Sequence, residues 1–163
     1  MDNLQKATFA AGCFWGVQYY FDQIPGVIET KVGYIGGHLE NPSYEDVCYK
    51  NTGHAEAVEL GFDTGLVSYE TLLKHFFRLH DPTQMNRQGP DIGEQYRSVI
   101  FYHDDQQKES AERIKNEAQK DWERPIVSQI VPAGVFYEAE DYHQKYAEKT
   151  GRGMCHIPYQ PIG

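Results

Sequence analysis

Residues 54–62 alternate in step with a β-strand: Glu56, Val58, Leu60 and Phe62 share one face, and Ala55, Ala57, Glu59 and Gly61 share the other. A strand with one strongly apolar face must have that face covered, so the chain is committed to at least two packed layers. The neighbouring segments supply them. Residues 6–11 and 27–35 read as further strands, the second rich in β-branched residues. Between them residues 17–24 carry a helical pattern that stops at Pro25-Gly26. A short helix is predicted over 43–50, with Ser43 as N-cap and Asp46 three residues on imitating a capping box. Ser68 caps a helix whose apolar face is Tyr69, Leu72, Leu73, Phe76 and His80. After a long loop over 81–95, residues 96–102 and 126–132 read as strands, and 105–122 and 138–149 as helices. Few helices and short strands predict an α/β (α+β) fold, a single-domain two-layer sandwich with a mixed sheet.

The composition removes several classes of partner. The net charge of −9, with basic residues scattered, leaves no stripe to displace counterions from nucleic-acid phosphates or to bind an anionic membrane. The longest run free of polar side chains, apart from one thiol, is residues 9–17, about half of what a membrane-spanning helix needs. The first residues show no basic segment followed by an apolar one, so a cytoplasmic protein is expected. There are three cysteines, Cys13, Cys48 and Cys155, and no two form a C-x-x-C pair, so neither a disulfide framework nor a structural zinc site is expected. No phosphate-binding glycine motif occurs, and the seven histidines lack metal-ligand spacing, so no metal and no cofactor is expected.

Cys13 stands where a strand runs into a helix, directly behind Gly12, which permits a sharp turn. A thiol in the first helical turn faces unpaired N–H groups and the positive end of the helix dipole, both of which favour the nucleophilic thiolate. The competing reading is an inert core cysteine. Phe14 and Trp15 follow at once and either line an apolar pocket beside the thiol or pack in the core. Glu56 is in phase with Val58, Leu60 and Phe62, so it points to the apolar side, where desolvation raises its pKa and makes it a proton donor. The alternative puts it beyond the strand end, in solvent. Asp91 and Tyr96 in the long loop region, and Tyr44 after Asn41-Pro42, are candidate hydrogen-bonding groups. Cys48 reads as a buried, inert thiol, and His143 as a structural histidine on a helix.

Gly12-Cys13-Phe14-Trp15-Gly16 resembles the signature of the A-type peptide methionine sulfoxide reductases. Val32-Gly33-Tyr34-Ile35-Gly36-Gly37, Gly53-His54-Ala55-Glu56, the segment from His80 to Ser98 and Glu140-Asp141-Tyr142-His143-Gln144 resemble further family blocks in family order. The resemblance implies a two-layer α/β sandwich. It implies that Cys13 attacks the sulfur of methionine sulfoxide, that Phe14 and Trp15 hold the S-methyl group, and that Glu56, Tyr44, Tyr96 and Asp91 are the polar site residues. It further implies that the S-epimer, free or in proteins, is reduced, and that Cys155 resolves the sulfenic acid to a disulfide recycled by thioredoxin. Residues 1–150 would then form the catalytic domain, and 151–163 a flexible tail bearing the resolving cysteine. A further tail cysteine, which some relatives use to pass the disulfide on, is not seen in this sequence.

Two rivals share parts of this pattern. A thiol-dependent peroxidase would form the same sulfenic acid from peroxide but needs neither a methyl pocket nor a proton-donating Glu56. A non-catalytic module that binds methionine-like side chains would need the aromatics but not the thiol.

Overall fold

A computed structural model describes residues 3–152 and 159–162. Strands β1 (Leu4–Ala11), β2 (Val27–Ile35), β3 (Ala55–Asp63), β6 (Ser98–Tyr102), β7 (Gln129–Pro132) and β8 (Tyr137–Glu138) form one sheet in the order β7-β6-β1-β3-β2-β8. All neighbours are antiparallel except β6 and β7, so the sheet is mixed. Two two-residue strands, β4 (Arg87–Gln88) and β5 (Asp91–Ile92), make a separate small hairpin. The helices are α1 (Phe14–Asp22), α2 (Tyr44–Tyr49), α3 (Tyr69–Arg78), α4 (Asp105–Ala118) and α5 (Tyr146–Thr150).

The alternation of residues 54–62 organises this arrangement. Val58, Leu60 and Phe62 join Phe9 of β1, Val32 of β2 and Ile100 of β6 in one core with Val17, Phe21, Leu72, Phe76 and Ile114 of the helices. Phe9 is fully buried at its centre, its ring 5.4 Å from Phe21, 5.3 Å from Phe76 and 6.0 Å from Tyr69. Each such aromatic contributes roughly 1.5–3 kcal/mol through area removed from water. On the opposite face Ala55 and Ala57 pack with Ala10, Ile35, Val99 and Phe101 in a second, smaller cluster. The result is the two-layer α/β sandwich with a mixed sheet that the pattern predicts.

The predicted caps form. Ser43 accepts from the Asp46 N–H while Asp46 accepts from the Ser43 N–H, and Ser68 accepts from the Thr71 N–H. Two segments differ from expectation. The strand expected from residue 96 begins at Ser98, because Glu94–Tyr96 form a 3-10 turn. The helix expected over 138–149 is broken up by tertiary partners. Tyr137–Glu138 pair with β2, Asp141–His143 form a 3-10 turn, and the Gln144 side chain bonds the N–H and C=O of Val32. Lys145 is held at φ 59, its ammonium on Asp22 and Thr30, so α5 starts only at Tyr146. Beyond the undescribed residues 153–158, Tyr159 stacks on His75 and Arg78 donates to the carbonyl of Gln160, seating that end of the chain on α3.

Candidate active site

The site is built at the end of β1. Gly12 takes φ +97, a left-handed conformation open to glycine, and turns the chain from strand into helix within one residue. Cys13 is the N-cap residue of α1 rather than a member of its first turn, and its side chain is half-buried. As an N-cap it still stands at the end of the helix where the amides are unsatisfied by the helix itself.

One of those amides defines the site. The Phe14 N–H donates to Oε1 of Glu56 over 3.2 Å, which sets the carboxyl one residue past the thiol. Glu56 sits on β3 opposite Tyr34 of β2 and is 1% exposed, so the alternation read from the sequence points it inward. Burial pushes its pKa up to about 8, helped by the negative charge of Asp91 and opposed by the bonds from the Phe14 N–H and the Gln95 amide. A carboxyl group buried in this way is largely neutral near pH 7 and can donate a proton.

Two phenols share this environment. Burial raises the pKa of Tyr44 and of Tyr96 above the ordinary phenol value, and the charge of Glu56 raises both further. The hydroxyl of Tyr44 also bonds to Cys48, while Tyr96 lies in the field of Asp91, Cys48 and Cys13. Both hydroxyls therefore remain protonated donors. Asp91, on the β4–β5 hairpin, is within electrostatic reach of Glu56 and Tyr96. The structure thus brings Cys13, Glu56, Tyr44, Tyr96 and Asp91 to one place from five separate chain segments.

The aromatic residues form the adjoining wall. Phe14 is buried, its ring 5.7 Å from Tyr34 and 5.2 Å from His143. Trp15 is half-exposed, stacks on Tyr146 at 3.9 Å, and donates its indole N–H to Nδ1 of His143 over 2.9 Å. Tyr44 packs on the same imidazole at 4.5 Å. Phe14 is thus a floor residue, and Trp15 is the one with surface left to meet a ligand.

Several groups support the site in ways the sequence does not predict, and His143, read as a structural histidine on a helix, lies in a 3-10 turn. His143 is fully buried and anchors Trp15; burial keeps its pKa below the ordinary value, so the ring stays neutral and can accept the indole proton. Glu140 accepts from the Tyr34 hydroxyl and the Tyr44 N–H, 3.0 Å each, and ties α2 to β2. Burial alone would raise the Glu140 pKa, but these bonds hold it low. Cys48, expected to be a buried thiol, is not buried in the core. It is half-buried, bonded to Tyr44, and accepts from the Gln95 amide over 3.4 Å. The segment Glu140-Asp141-Tyr142-His143-Gln144 carried the only sequence signal for His143 and Glu140, as a family block; Gln95 was marked only by lying in a long loop. Cys155 lies outside the described residues. Among the described residues no group of three His, Cys, Asp or Glu side chains is placed to hold a metal ion, and no helix is long and apolar enough to cross a membrane.

Comparison with known proteins gives one answer. The family model described as "Peptide methionine sulfoxide reductase" matches residues 5–162. A peptide methionine sulfoxide reductase MsrA of Methanothermobacter thermautotrophicus is 56% identical over 159 residues, covering 96% of this chain and 94% of the relative. Among solved structures, Mxr1 of Saccharomyces cerevisiae in reduced form superposes with a TM-score of 0.92 at 35% identity, covering 98% of this chain and 94% of that one. The same yeast protein in complex with Trx2 superposes with a TM-score of 0.66 at 26% identity, covering 98% and 92%.

Proposed function

The chain belongs to the peptide methionine sulfoxide reductase family, and from that premise we propose that it reduces the S-epimer of methionine sulfoxide, free and in proteins, through Cys13. It is an oxidoreductase. The observation that carries the mechanism is the bond from the Phe14 N–H to Glu56, which holds a largely neutral carboxyl one residue from the thiol.

The sulfoxide sulfur is partly positive and its oxygen partly negative. The Cys13 thiolate attacks the sulfur while Glu56 gives a proton to the oxygen. The Tyr44 and Tyr96 hydroxyls donate to that oxygen as charge develops on it, in the manner of an oxyanion hole. The substrate's sulfur–oxygen bond breaks and the oxygen ends on Cys13 as a sulfenic acid. The substrate sulfur gains the two electrons that Cys13 loses, and methionine departs. Trp15 and Phe14 enclose the S-methyl group, and Asp91 orients the site through its charge. The Cys155 thiol then condenses with the sulfenic acid, releasing water and forming a disulfide. A dithiol of the thioredoxin kind reduces that disulfide; the yeast relative's complex with Trx2 supports this partner. The role is repair of oxidised methionine in a reducing compartment.

The test is to incubate the protein with each sulfoxide epimer and dithiothreitol and to quantify methionine. Methionine from the S-epimer alone is expected; methionine from neither, or equally from both, defeats the reading. Faster turnover of peroxide than of sulfoxide would favour the peroxidase instead.

Two further outcomes follow from particular residues. Cys155→Ser keeps the attacking thiol, so it should release about one methionine per enzyme in a single turnover yet lose thioredoxin-driven cycling. Thioredoxin supporting the variant as well as the parent would make Cys155 a bystander. His143→Phe keeps ring bulk but removes the acceptor that fixes the Trp15 indole. A net hydrogen bond of about 1 kcal/mol corresponds to roughly a fivefold rise in KM, with the single-turnover rate at saturation little changed. An unaltered KM would show that stacking on Tyr146 is enough to hold Trp15.

A further inference from the structure

Gln95 makes the least expected contact of the site. It lies in the 3-10 turn between the β4–β5 hairpin and β6. Its Nε2 donates to Oε2 of Glu56 over 3.3 Å and to Sγ of Cys48 over 3.4 Å. The other carboxyl oxygen is taken by the Phe14 N–H. Glu56 is therefore gripped at both oxygens, from the backbone of α1 on one side and from a side chain of the loop on the other. Gln95 and Cys48 together line a small cleft open to solvent, with Asn51, Thr52, His54 and Glu94.

We propose that Gln95 is a positioning residue of the reduction: its amide fixes the Glu56 carboxyl against the start of α1 and bridges it to the Cys48 thiol. The inference rests on Glu56 being the proton donor. A primary amide suits the task because its NH2 group carries two donors, one for each partner. Donation from Nε2 favours the carboxylate that remains after proton transfer. The same nitrogen's contact with the Cys48 sulfur gives the amide a second fixed point, so the carboxyl is held in one orientation.

The role has a signature in pH. Facing Glu56 are Tyr34 from β2, Tyr44 and Cys48 from α2, Asp91 from β5 and Tyr96 beside Gln95, with Cys13 one residue from the Phe14 amide. Of the groups that lower the pKa of Glu56, the Phe14 N–H and the Gln95 amide act through hydrogen bonds. Removing the amide deletes one of these, so Glu56 should hold its proton to higher pH.

The experiment is single-turnover methionine release against pH with the full chain, for the parent, Gln95→Leu, Gln95→Glu and Glu56→Gln. In the parent the rate should fall as pH rises through about 8. In Gln95→Leu the fall should move upward by about one pH unit, and the plateau below it should drop about tenfold as the acid loses its fixed orientation. In Gln95→Glu a second carboxylate faces the first, so the fall should move further up than in Gln95→Leu. A residue that merely held the loop would lower the plateau and leave the fall where it was. A fall present in the parent, absent from Glu56→Gln and unmoved in Gln95→Leu overturns the role of Gln95 alone. A parent with no such fall, or a Glu56→Gln variant that keeps it, overturns the reading of Glu56 and this inference with it.

Discussion

Cys13→Ser should form no methionine with any reductant. A serine hydroxyl is not ionised near neutral pH and its oxygen is a poor nucleophile toward sulfur, so nothing in the variant replaces the thiolate. Losing the attacking group of a site that acts as a unit costs on the order of a thousandfold or more. The usual objection, that an inactive variant is merely unfolded, is met by the structure. Cys13 is the N-cap of α1 and makes no side-chain capping bond there. Serine is a favoured N-cap, so the substitution should leave the melting temperature unchanged or raise it slightly. Single-turnover methionine release and thermal unfolding, measured on the same preparation, separate chemistry from folding. Turnover within tenfold of the parent would remove Cys13 from its role.

Glu56→Gln should slow the first step by about a hundredfold to ten-thousandfold, the usual cost of a lost general acid. Size and hydrogen-bonding capacity are kept, and only the transferable proton is removed. The sign of the pH effect follows from the burial of this group. Because its pKa is raised to about 8, the acid form is present below that pH and is lost above it, so parent activity falls on the alkaline side. Glutamine does not ionise, so the variant's residual rate should show no fall there. Substrate affinity should change little, since in the proposed mechanism the apolar wall of Trp15 and Phe14, which the substitution leaves in place, holds the S-methyl group. An unchanged rate with an unchanged profile would reduce Glu56 to a buried carboxyl that caps α1.

How much of this was legible in the sequence depended on whether local pattern or remote partners decide each residue. β3 and the inward turn of Glu56 were readable because a two-residue period is local and one carboxylate in an apolar row stands out. The capping box at Ser43 and the turn at Gly12 were readable for the same reason, each being a matter of adjacent residues. The segment 138–149 was not. Its composition suits a helix, but β2, the Gln144 side chain and the Lys145–Asp22 pair hold its backbone elsewhere. Tyr96 was assigned its place in the site, yet its local structure is a turn rather than a strand. Gln95 was marked only by its place in a long loop and Cys48 was read as a buried thiol, because a glutamine in a loop and a lone thiol on a short helix gain meaning only when folding sets both beside Glu56.

β1 lies inside the sheet between β3 and β6, and Phe9 faces Val58 on one side and Ile100 on the other. Neither neighbour is near it in sequence, and closing such distant pairs is the slow part of assembling a sheet. A chain growing from its N-terminus would display Cys13 long before β6 has been made. Until the sheet closes, Cys13 stands without the Glu56 carboxyl and the Tyr44 and Tyr96 hydroxyls beside it. The site is complete only when distant segments have closed around β1, with His143 and Tyr146 behind Trp15 among the last to be made, so the thiol gains its partners with the fold and not before it.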